Sequence, residues 1–168
     1  MLYVVCGLPF AGKTTMSREL AEVLSDTVHV EIDQINTERG LGVDATPISP
    51  TEWAETYRLA YQRADEALSA GQDVVIDATN YSRAQRDILR MTANRQGADS
   101  AVIFVDVPED ECRNRWQANR QSGGRYDVRD DDFERVADRF DPPTPDERVI
   151  LFLPGMSVND LKTGLRQV

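Results

Sequence analysis

One glycine-rich run near the start of the chain constrains the fold more than any other feature. It reads Gly7-Leu8-Pro9-Phe10-Ala11-Gly12-Lys13-Thr14 and follows a short apolar stretch, residues 2–6. The pattern G-x-x-x-x-G-K-[ST] between a strand and a helix is typical of a phosphate-binding loop, since its glycines let backbone N–H groups converge on phosphate oxygens. The run therefore predicts a buried strand, a nucleotide-binding turn and a helix, in that order.

Side chains at the end of the run predict how a nucleotide and its metal ion are held. Lys13 can reach the β- and γ-phosphates of ATP, and the Thr14 hydroxyl can bind Mg²⁺. The N-terminus of the following helix adds partial positive charge. We expect ATP and the cofactor Mg²⁺ to bind here, with ATP contacting Gly7, Leu8, Pro9, Phe10, Ala11, Gly12, Lys13, Thr14 and Thr15.

Beyond this run, short apolar segments alternate with longer stretches of helical periodicity. This alternation predicts the α/β class, as a three-layer P-loop NTPase fold whose five-stranded, mainly parallel sheet has helices on both faces. Strands are expected near 2–6, 28–32, 73–77, 101–107 and 149–153. Helices are expected near 13–25, 51–70, 82–96, 109–121, 130–139 and 157–166, with 37–50 irregular. The length of 168 residues predicts a single domain, 1–168.

Two helix starts carry recognisable caps. Thr51 is the expected N-cap of the long helix 51–70, and Ser82 is the expected N-cap of the helix 82–96. Gly71 and Gly97 follow these helices and are expected to end them. The boundaries of both helices are therefore predicted from capping chemistry as well as from periodicity.

The composition limits the range of partners. The net charge is −10, with 2 lysines against 17 arginines, so nonspecific nucleic acid is repelled unless a local basic patch overrides it. An Asp-rich, Lys-poor surface fits either a salt-rich cytoplasm or a high-GC coding sequence. No apolar run approaches the length of about 18 residues that predicts a membrane span. Cys6 and Cys112 are expected to be buried free thiols, which favours a cytoplasmic protein.

Carboxylates stand at the ends of three predicted strands, and ligands of open α/β sheets bind at that edge. Asp33 follows the second strand, Asp77 ends the third and Asp106 lies near the end of the fourth. Such a carboxylate can hold Mg²⁺ or accept a proton from an attacking hydroxyl, but it can also cap a turn or helix. We favour function for Asp33 and Asp77 and a plain turn for Asp106.

Arginines surround the Gly123-Gly124 break and indicate a lid, over about 119–130. An arginine-bearing loop can close over ATP, neutralise the transferring phosphoryl group and exclude water. The alternative is a solvated helix face paired with neighbouring acids. The arginines in question are Arg113, Arg115, Arg120, Arg125 and Arg129, of which Arg120 and Arg125 flank the break most closely.

Two further patterns bear on a second substrate. Asp77-Ala78-Thr79-Asn80, with Arg83 and Arg86 beyond it, can orient an acceptor hydroxyl and meet an anionic acceptor; a structural role is the alternative. Trp53, Tyr57 and Tyr61 form one stripe at i, i+4 and i+8 of the long helix. Core packing is favoured for this stripe, with stacking on an acceptor ring as the alternative.

Taken together, these motifs resemble the small P-loop kinases of the AAA_33 type, a group that includes the kinase module of polynucleotide 5′-hydroxyl kinases. They are also similar to zeta-toxin-like and seryl-tRNA kinases. The resemblance spans nearly the whole chain. It is carried by the phosphate loop, Asp33, the run from Val74 to Asn80, Val107-Pro108-Glu109 with Arg115 and Arg120, and Phe140-Asp141-Pro142-Pro143.

The resemblance implies roles for individual residues. Lys13 serves the phosphates, Asp33 is the general base for the acceptor hydroxyl, and Arg120 bridges the phosphates. Thr14 and Asp77 hold the metal ion. Nucleotide contacts are implied for Arg115 and Arg125, and acceptor contacts for Asp77, Thr79, Asn80 and Arg86.

The expected activity is transfer of the γ-phosphoryl group of ATP to an acceptor hydroxyl. The acceptor is either a nucleic-acid-related hydroxyl, such as an RNA or DNA 5′ end, or a small molecule such as a metabolite, nucleoside or antibiotic. Asn36 stands where polynucleotide kinases carry an arginine that contacts the acceptor phosphate, and Arg39 follows three residues later. An ATPase switch without an acceptor is the remaining alternative.

Overall fold

Five parallel strands form one sheet at the centre of the computed structural model, which describes residues 1–42, 46–123 and 128–165. The strands are β1 (Leu2–Cys6), β2 (Thr27–Glu31), β3 (Asp73–Asp77), β4 (Ser100–Val105) and β5 (Val149–Phe152). Their order across the sheet is β2-β3-β1-β4-β5. The predicted fold class is confirmed, and β1, which leads into the glycine-rich run, lies in the middle of the sheet.

Helices connect the strands and cover both faces of the sheet. Those of the described residues are α1 (Lys13–Val23), α2 (Ile32–Glu38), α3 (Pro50–Ser69), α4 (Arg83–Arg95), α5 (Glu109–Ser122), α6 (Asp130–Asp138) and α7 (Val158–Leu165), with a 3-10 turn at Pro145–Glu147. No helix of these residues is both long and apolar enough to cross a membrane.

The alternation of side chains along β1 divides the core into two halves. Leu2, Val4 and Cys6 pack on one side with α3 and α4, while Tyr3 and Val5 pack on the other with α1, α5, α6 and α7. All five residues of β1 are buried, as a strand covered on both faces requires. Cys6 and Cys112 are buried free thiols, as predicted.

Two local features differ from the prediction. The described residues 39–42 and 46–49 are irregular as predicted, but no helix was predicted directly after the second strand, where α2 forms with Ile32 and Ile35 buried one turn apart. Helix α3 is capped by Ser49 rather than Thr51: the Ser49 hydroxyl accepts from the Glu52 N–H, and the Glu52 carboxylate accepts from the Ser49 N–H. Pro50 occupies the first helical position, where its missing N–H costs nothing. The Ser82 cap of α4 is confirmed.

Candidate active site at the carboxyl edge of the sheet

The loop between β1 and α1 has the backbone that its glycines predict. Gly7 has φ +149°, and a Cβ there would lie 2.8 Å from the Val105 carbonyl oxygen. Gly12 has φ +98° and Phe10 has φ +63°, so the loop turns through the left-handed region twice. The Gly7 N–H donates to the Thr79 carbonyl oxygen at 3.2 Å. Any side chain at residue 7 therefore displaces the loop from β4.

Lys13 and Thr14 begin α1 and line a cavity beside the loop. The Lys13 ammonium donates to the Leu8 carbonyl oxygen at 2.8 Å, so it lies over the loop that it is expected to serve. Arg115 supports the loop from α5, donating to the carbonyl oxygens of Phe10 at 3.3 Å and Ala11 at 3.2 Å. Thr15 is exposed and does not line the cavity.

This cavity has a volume of about 600 Å³ and extends well beyond the loop. Its floor carries Lys13, Thr14, Asp33, Asp77 and Thr79. One wall comes from α3 and the segment before it, and includes Pro47, Ile48, Trp53 and Tyr57. The lining also includes Tyr81 and Gln85 around the start of α4, and Arg129, Asp132 and Arg135 of α6 and its N-cap. The predicted phosphate site and the predicted base thus open onto one shared chamber.

Asp33 lies in the first turn of α2, with an exposed side chain that lines the cavity. It is placed there because β2 ends at Glu31 and the helix starts at once. A carboxylate in the first turn of a helix is favoured by the helix dipole. Asp106, at the end of β4, is exposed and lies outside the cavity lining, in agreement with a plain turn.

Beneath the loop, Glu31 and Asp77 are partners in the register of β2 and β3. The Glu31 carboxylate is held by Arg18 of α1 through contacts of 2.8 to 3.1 Å. Asp77 is only 4% exposed, and its Oδ2 has no hydrogen-bond partner among the described residues. A buried carboxylate oxygen without a partner, in the same cavity lining as Thr14, is an oxygen donor of the kind that Mg²⁺ takes. Thr14 and Asp77 therefore fit the predicted metal site.

His29 belongs to the same region of the sheet. Its ligand nitrogen and the carboxylates of Glu31 and Asp77 all lie within 4.8 Å of one another. The imidazole Nε2 lies 3.1 Å from the Ser17 hydroxyl of α1. Burial lowers the pKa of His29, while Asp77 and Glu31 act in the opposite direction. The net effect of these surroundings is a pKa below the ordinary value of 6.5.

Asn80 and Arg86 are not acceptor contacts, which corrects the prediction from sequence. Both are 0% exposed, and neither lines the cavity. The Asn80 amide donates to the Val5 carbonyl oxygen at 2.7 Å, and Arg86 pairs with Glu147. Burial within the fold removes both from any bound acceptor. Thr79, between them and the loop, does line the cavity as predicted.

The arginines divide between the two interpretations. Arg113 pairs with Glu109 and Glu134 on a helix face, as the solvated alternative requires. Arg120 lies over the Trp116 ring, 4.3 Å from its centroid, pairs with Asp130, and does not line the cavity. Arg125 lies outside the described residues. The predicted catalytic role of Arg120 therefore has no support from this geometry.

Among the described arginines, Arg129 and Arg135 line the cavity, from the N-cap of α6 and from α6 itself. Arg135 was not predicted as a site residue, because the sequence does not fix the orientation of α6 about its axis. Of the aromatic stripe, Trp53 and Tyr57 line the cavity with ring centroids 6.3 Å apart, whereas Tyr61 packs against the core. Core packing is confirmed, because all three rings pack against the core, whereas stacking on an acceptor ring stays a prediction.

The residue that replaces the acceptor-contacting arginine of polynucleotide kinases is structural here. Asn36 is 4% exposed and accepts a hydrogen bond from the Thr56 hydroxyl at 2.6 Å. Arg39 donates to the Glu52 carbonyl oxygen at 2.6 Å and to Thr56, which ties α2 to α3. Neither residue lines the cavity. Within the described residues, neither Asn36 nor Arg39 therefore replaces the arginine that contacts the acceptor phosphate in polynucleotide kinases.

Comparison with known proteins agrees with this geometry. The AAA_33 family model, described as an AAA domain, matches residues 2–143. The chain belongs to the AAA_33 family. This AAA_33 chain is 30% identical over 152 residues to the protein kti12 of Schizosaccharomyces pombe, which covers 84% of this chain and 52% of that protein. It is 26% identical over 164 residues to the L-seryl-tRNA(Sec) kinase of Methanococcus maripaludis, covering 95% and 59%. The chain thus spans about half the length of the curated relatives it matches.

Solved structures share the fold of the AAA_33 chain. A crystal structure from Chloroflexus aurantiacus superposes with a TM-score of 0.81 at 21% identity, covering 99% of this chain and 96% of that one. Kti12 of Chaetomium thermophilum, in complex with ADP-AlF3, superposes with a TM-score of 0.70 at 20% identity, covering 99% and 98%. The sheet and its helices are those of P-loop kinase-like proteins.

Proposed function

We propose that this protein is an ATP-dependent kinase that transfers the γ-phosphoryl group to an acceptor hydroxyl. One observation carries the proposal: Pro9, Lys13 and Thr14 of the phosphate loop and Asp33 line the same cavity of about 600 Å³. A nucleotide held by Lys13 and Thr14 leaves the rest of that chamber for a second molecule. A module that only hydrolyses ATP needs no such chamber beside its γ-phosphate.

The chemistry follows from this arrangement. The acceptor oxygen attacks the γ-phosphorus in line, the bond to the β–γ bridging oxygen breaks, and ADP leaves. Asp33 accepts the proton of the acceptor hydroxyl, and Lys13 neutralises charge on the transferring group. Backbone N–H groups of the loop and the N-terminus of α1 hold the β-phosphate. Catalysis is then mostly positioning and charge neutralisation.

Mg²⁺ would be held by Thr14 and Asp77, where it would neutralise the β- and γ-phosphate oxygens. The open Oδ2 of Asp77 supports this choice of ligands. Arg115 would keep the loop in shape around the phosphates, since it already binds two of the loop's carbonyl oxygens.

For the acceptor, we favour a nucleic-acid-related hydroxyl over a small metabolite. Within the cavity lining, Trp53 and Tyr57 offer ring faces, and Arg129 and Arg135 offer charge for an anionic group. One relative is named as a kinase of seryl-tRNA(Sec), which is an RNA-linked hydroxyl. The net charge of −10 and the buried Asn36 speak against a long polynucleotide track. An RNA end or an RNA-linked group fits these constraints better than a duplex.

A nucleotide-hydrolysing module is the second candidate, because the relative with 30% identity is named protein kti12 rather than a kinase. The two candidates differ in what Asp33 does. Proton transfer from an acceptor needs its carboxylate, whereas hydrolysis without an acceptor gives it no such task.

The experiment is a transfer assay with γ-labelled ATP against four acceptor classes: tRNA, short oligonucleotides with 5′-hydroxyl ends, nucleosides and sugars. We expect label in one RNA-related class. Asp33→Asn should reduce this transfer by roughly 10²- to 10⁴-fold while ATP affinity is kept. Asp106→Asn is the matched control, since that strand-end carboxylate lies outside the cavity. Hydrolysis of ATP without any labelled acceptor, and insensitive to Asp33→Asn, would favour the second candidate.

A further inference from the structure

Arg86 is the largest side chain that the described part of the chain buries completely. Its Nε donates to Glu147 Oε2 at 2.7 Å and its Nη2 to Oε1 at 3.0 Å, and both residues are 0% exposed. A buried ion pair seldom stabilises a protein more than well-packed apolar residues would, because both charges lose their hydration. The pair therefore calls for a further explanation.

The remaining guanidinium nitrogen of Arg86, Nη1, suggests such an explanation. Nη1 donates to the carbonyl oxygen of Asn80 at 3.1 Å and to that of Asp141 at 2.8 Å. Asn80 lies in the turn after β3, with φ +42°, a conformation that L-residues adopt at a cost. Asp141 lies three residues after α6, the helix that carries Arg135. Arg86 thus joins the turn after β3 to the segment that follows α6.

From this turn, direct contacts lead to the phosphate loop. The Thr79 carbonyl oxygen accepts from the N–H of Gly7, and the Asn80 amide donates to the carbonyl oxygen of Val5. On the other side, the Asp141 N–H donates to the Tyr81 carbonyl oxygen at 2.8 Å. Thr79 and Tyr81 both line the cavity. The turn that Arg86 holds therefore contacts the loop on one side and forms part of the acceptor chamber on the other.

We propose that Arg86 is a positioning residue, which sets the phosphate loop and the acceptor chamber at the distance that in-line transfer requires. Glu147 orients the guanidinium by binding two of its arms, so that the third arm meets both carbonyl oxygens at once. This inference rests on the proposed function. A misplacement of about 1 Å between reacting groups can cost 10²-fold in rate, so a small shift of the turn has a large effect on transfer.

Two sets of variants separate positioning from mere stability. Arg86→Met combined with Glu147→Met removes both charges together and leaves no unpaired ion in the core. Arg86→Lys keeps a positive charge near Glu147. A lysine cannot, however, bind both oxygens of Glu147 and the two backbone carbonyl oxygens at the same time. Leu161→Ala is the control: this residue of α7 is 1% exposed, lies away from the cavity, and loses stability by creating a void.

The measurements are kcat, the acceptor KM and the Kd of ATP with Mg²⁺, all taken well below the melting temperature of every variant. We expect Arg86→Lys and the double variant to lose at least about tenfold in kcat and about fivefold in ATP affinity relative to Leu161→Ala. Values equal to those of Leu161→Ala would overturn the proposal. If the double variant does not fold, Arg86→Lys alone decides.

The ATP affinity keeps this test separate from the proposed function. Should the wild-type protein phosphorylate no acceptor, kinase activity fails, yet the effect of Arg86 on the loop is still measured by the Kd of ATP. Should the wild-type protein transfer label while the Arg86 variants match the control, only the positioning role fails.

Discussion

Glu31 and Asp77 are register partners on neighbouring parallel strands, only 7% and 4% exposed, at the floor of the cavity. Arg18 binds the carboxylate of Glu31, whereas one oxygen of Asp77 has no partner in the described part of the chain. Two carboxylates side by side in a buried place are destabilising, and the Arg18 guanidinium pairs with Glu31. Asp77 Oδ2 is thus a buried carboxylate oxygen that no described residue satisfies.

Asp77→Asn is expected to separate stability from activity. Removing a buried charge next to Glu31 should leave the free energy of unfolding unchanged or raise it in metal-free buffer. Transfer should fall by roughly 10²-fold or more, because the cation at the phosphates loses a ligand. Thermal melting with and without Mg²⁺ and ATP checks this. A clear loss of stability without metal, or full transfer, contradicts the assignment of Asp77.

Arg115→Ala tests the support of the phosphate loop. Its guanidinium binds the carbonyl oxygens of Phe10 and Ala11, so its loss should loosen the loop. We expect ATP to bind about tenfold more weakly, a change of about 1.4 kcal/mol, with the acceptor KM unaltered. Titration calorimetry measures the affinity. Arg113→Ala, on the same helix but paired with Glu134, should leave it unchanged.

Arg129→Ala and Arg135→Ala test the anionic side of the acceptor. Each should raise the acceptor KM roughly tenfold without changing the Kd of ATP, since both residues line the chamber from α6 and its N-cap and are not part of the phosphate loop. Arg139→Ala is the matched control, an exposed arginine at the end of α6 that lies outside the cavity lining. An unchanged acceptor KM in both variants would remove these arginines from the acceptor site.

His29, the chain's one histidine, predicts a stability change with pH. Burial lowers its pKa in the folded protein below the ordinary value of 6.5, so the unfolded chain takes up the proton first as pH falls. The free energy of unfolding should therefore decrease as pH drops below 6.5. Denaturant melts between pH 7.5 and 5, in a metal chelator, should show a steeper decrease for the wild type than for His29→Gln. Parallel curves would contradict this.

Much of the site could be predicted from the sequence, because its residues follow strand ends and a local motif. Lys13, Thr14, Asp33 and Asp77 lie within one chamber as a parallel sheet requires. Asp106 also lies near the end of a strand. Only the plain turn that follows it argued against a functional role. These inferences depend on local chemistry and on the topology of the sheet alone.

The features that could not be predicted depend on contacts between segments that are distant in the sequence. Arg86 follows the Thr79-Asn80 pair and so looked like an acceptor contact, but Glu147, 61 residues away, buries it. The orientation of α6, which brings Arg135 to the cavity, is likewise a matter of packing. The Ser49 cap of α3, by contrast, had a local signal in Ser49-Pro50-Thr51-Glu52, a capping box with proline at the first helical position.

The most direct measurement follows the γ-phosphoryl group itself in a single turnover, with labelled ATP, Mg²⁺ and the preferred acceptor. For the wild-type protein, we expect the label on the acceptor, with little inorganic phosphate. For Asp33→Asn, we expect a larger share of the label that is still released to appear as inorganic phosphate. Label released only as inorganic phosphate by the wild-type protein, at the same rate with and without every acceptor class, would contradict kinase activity.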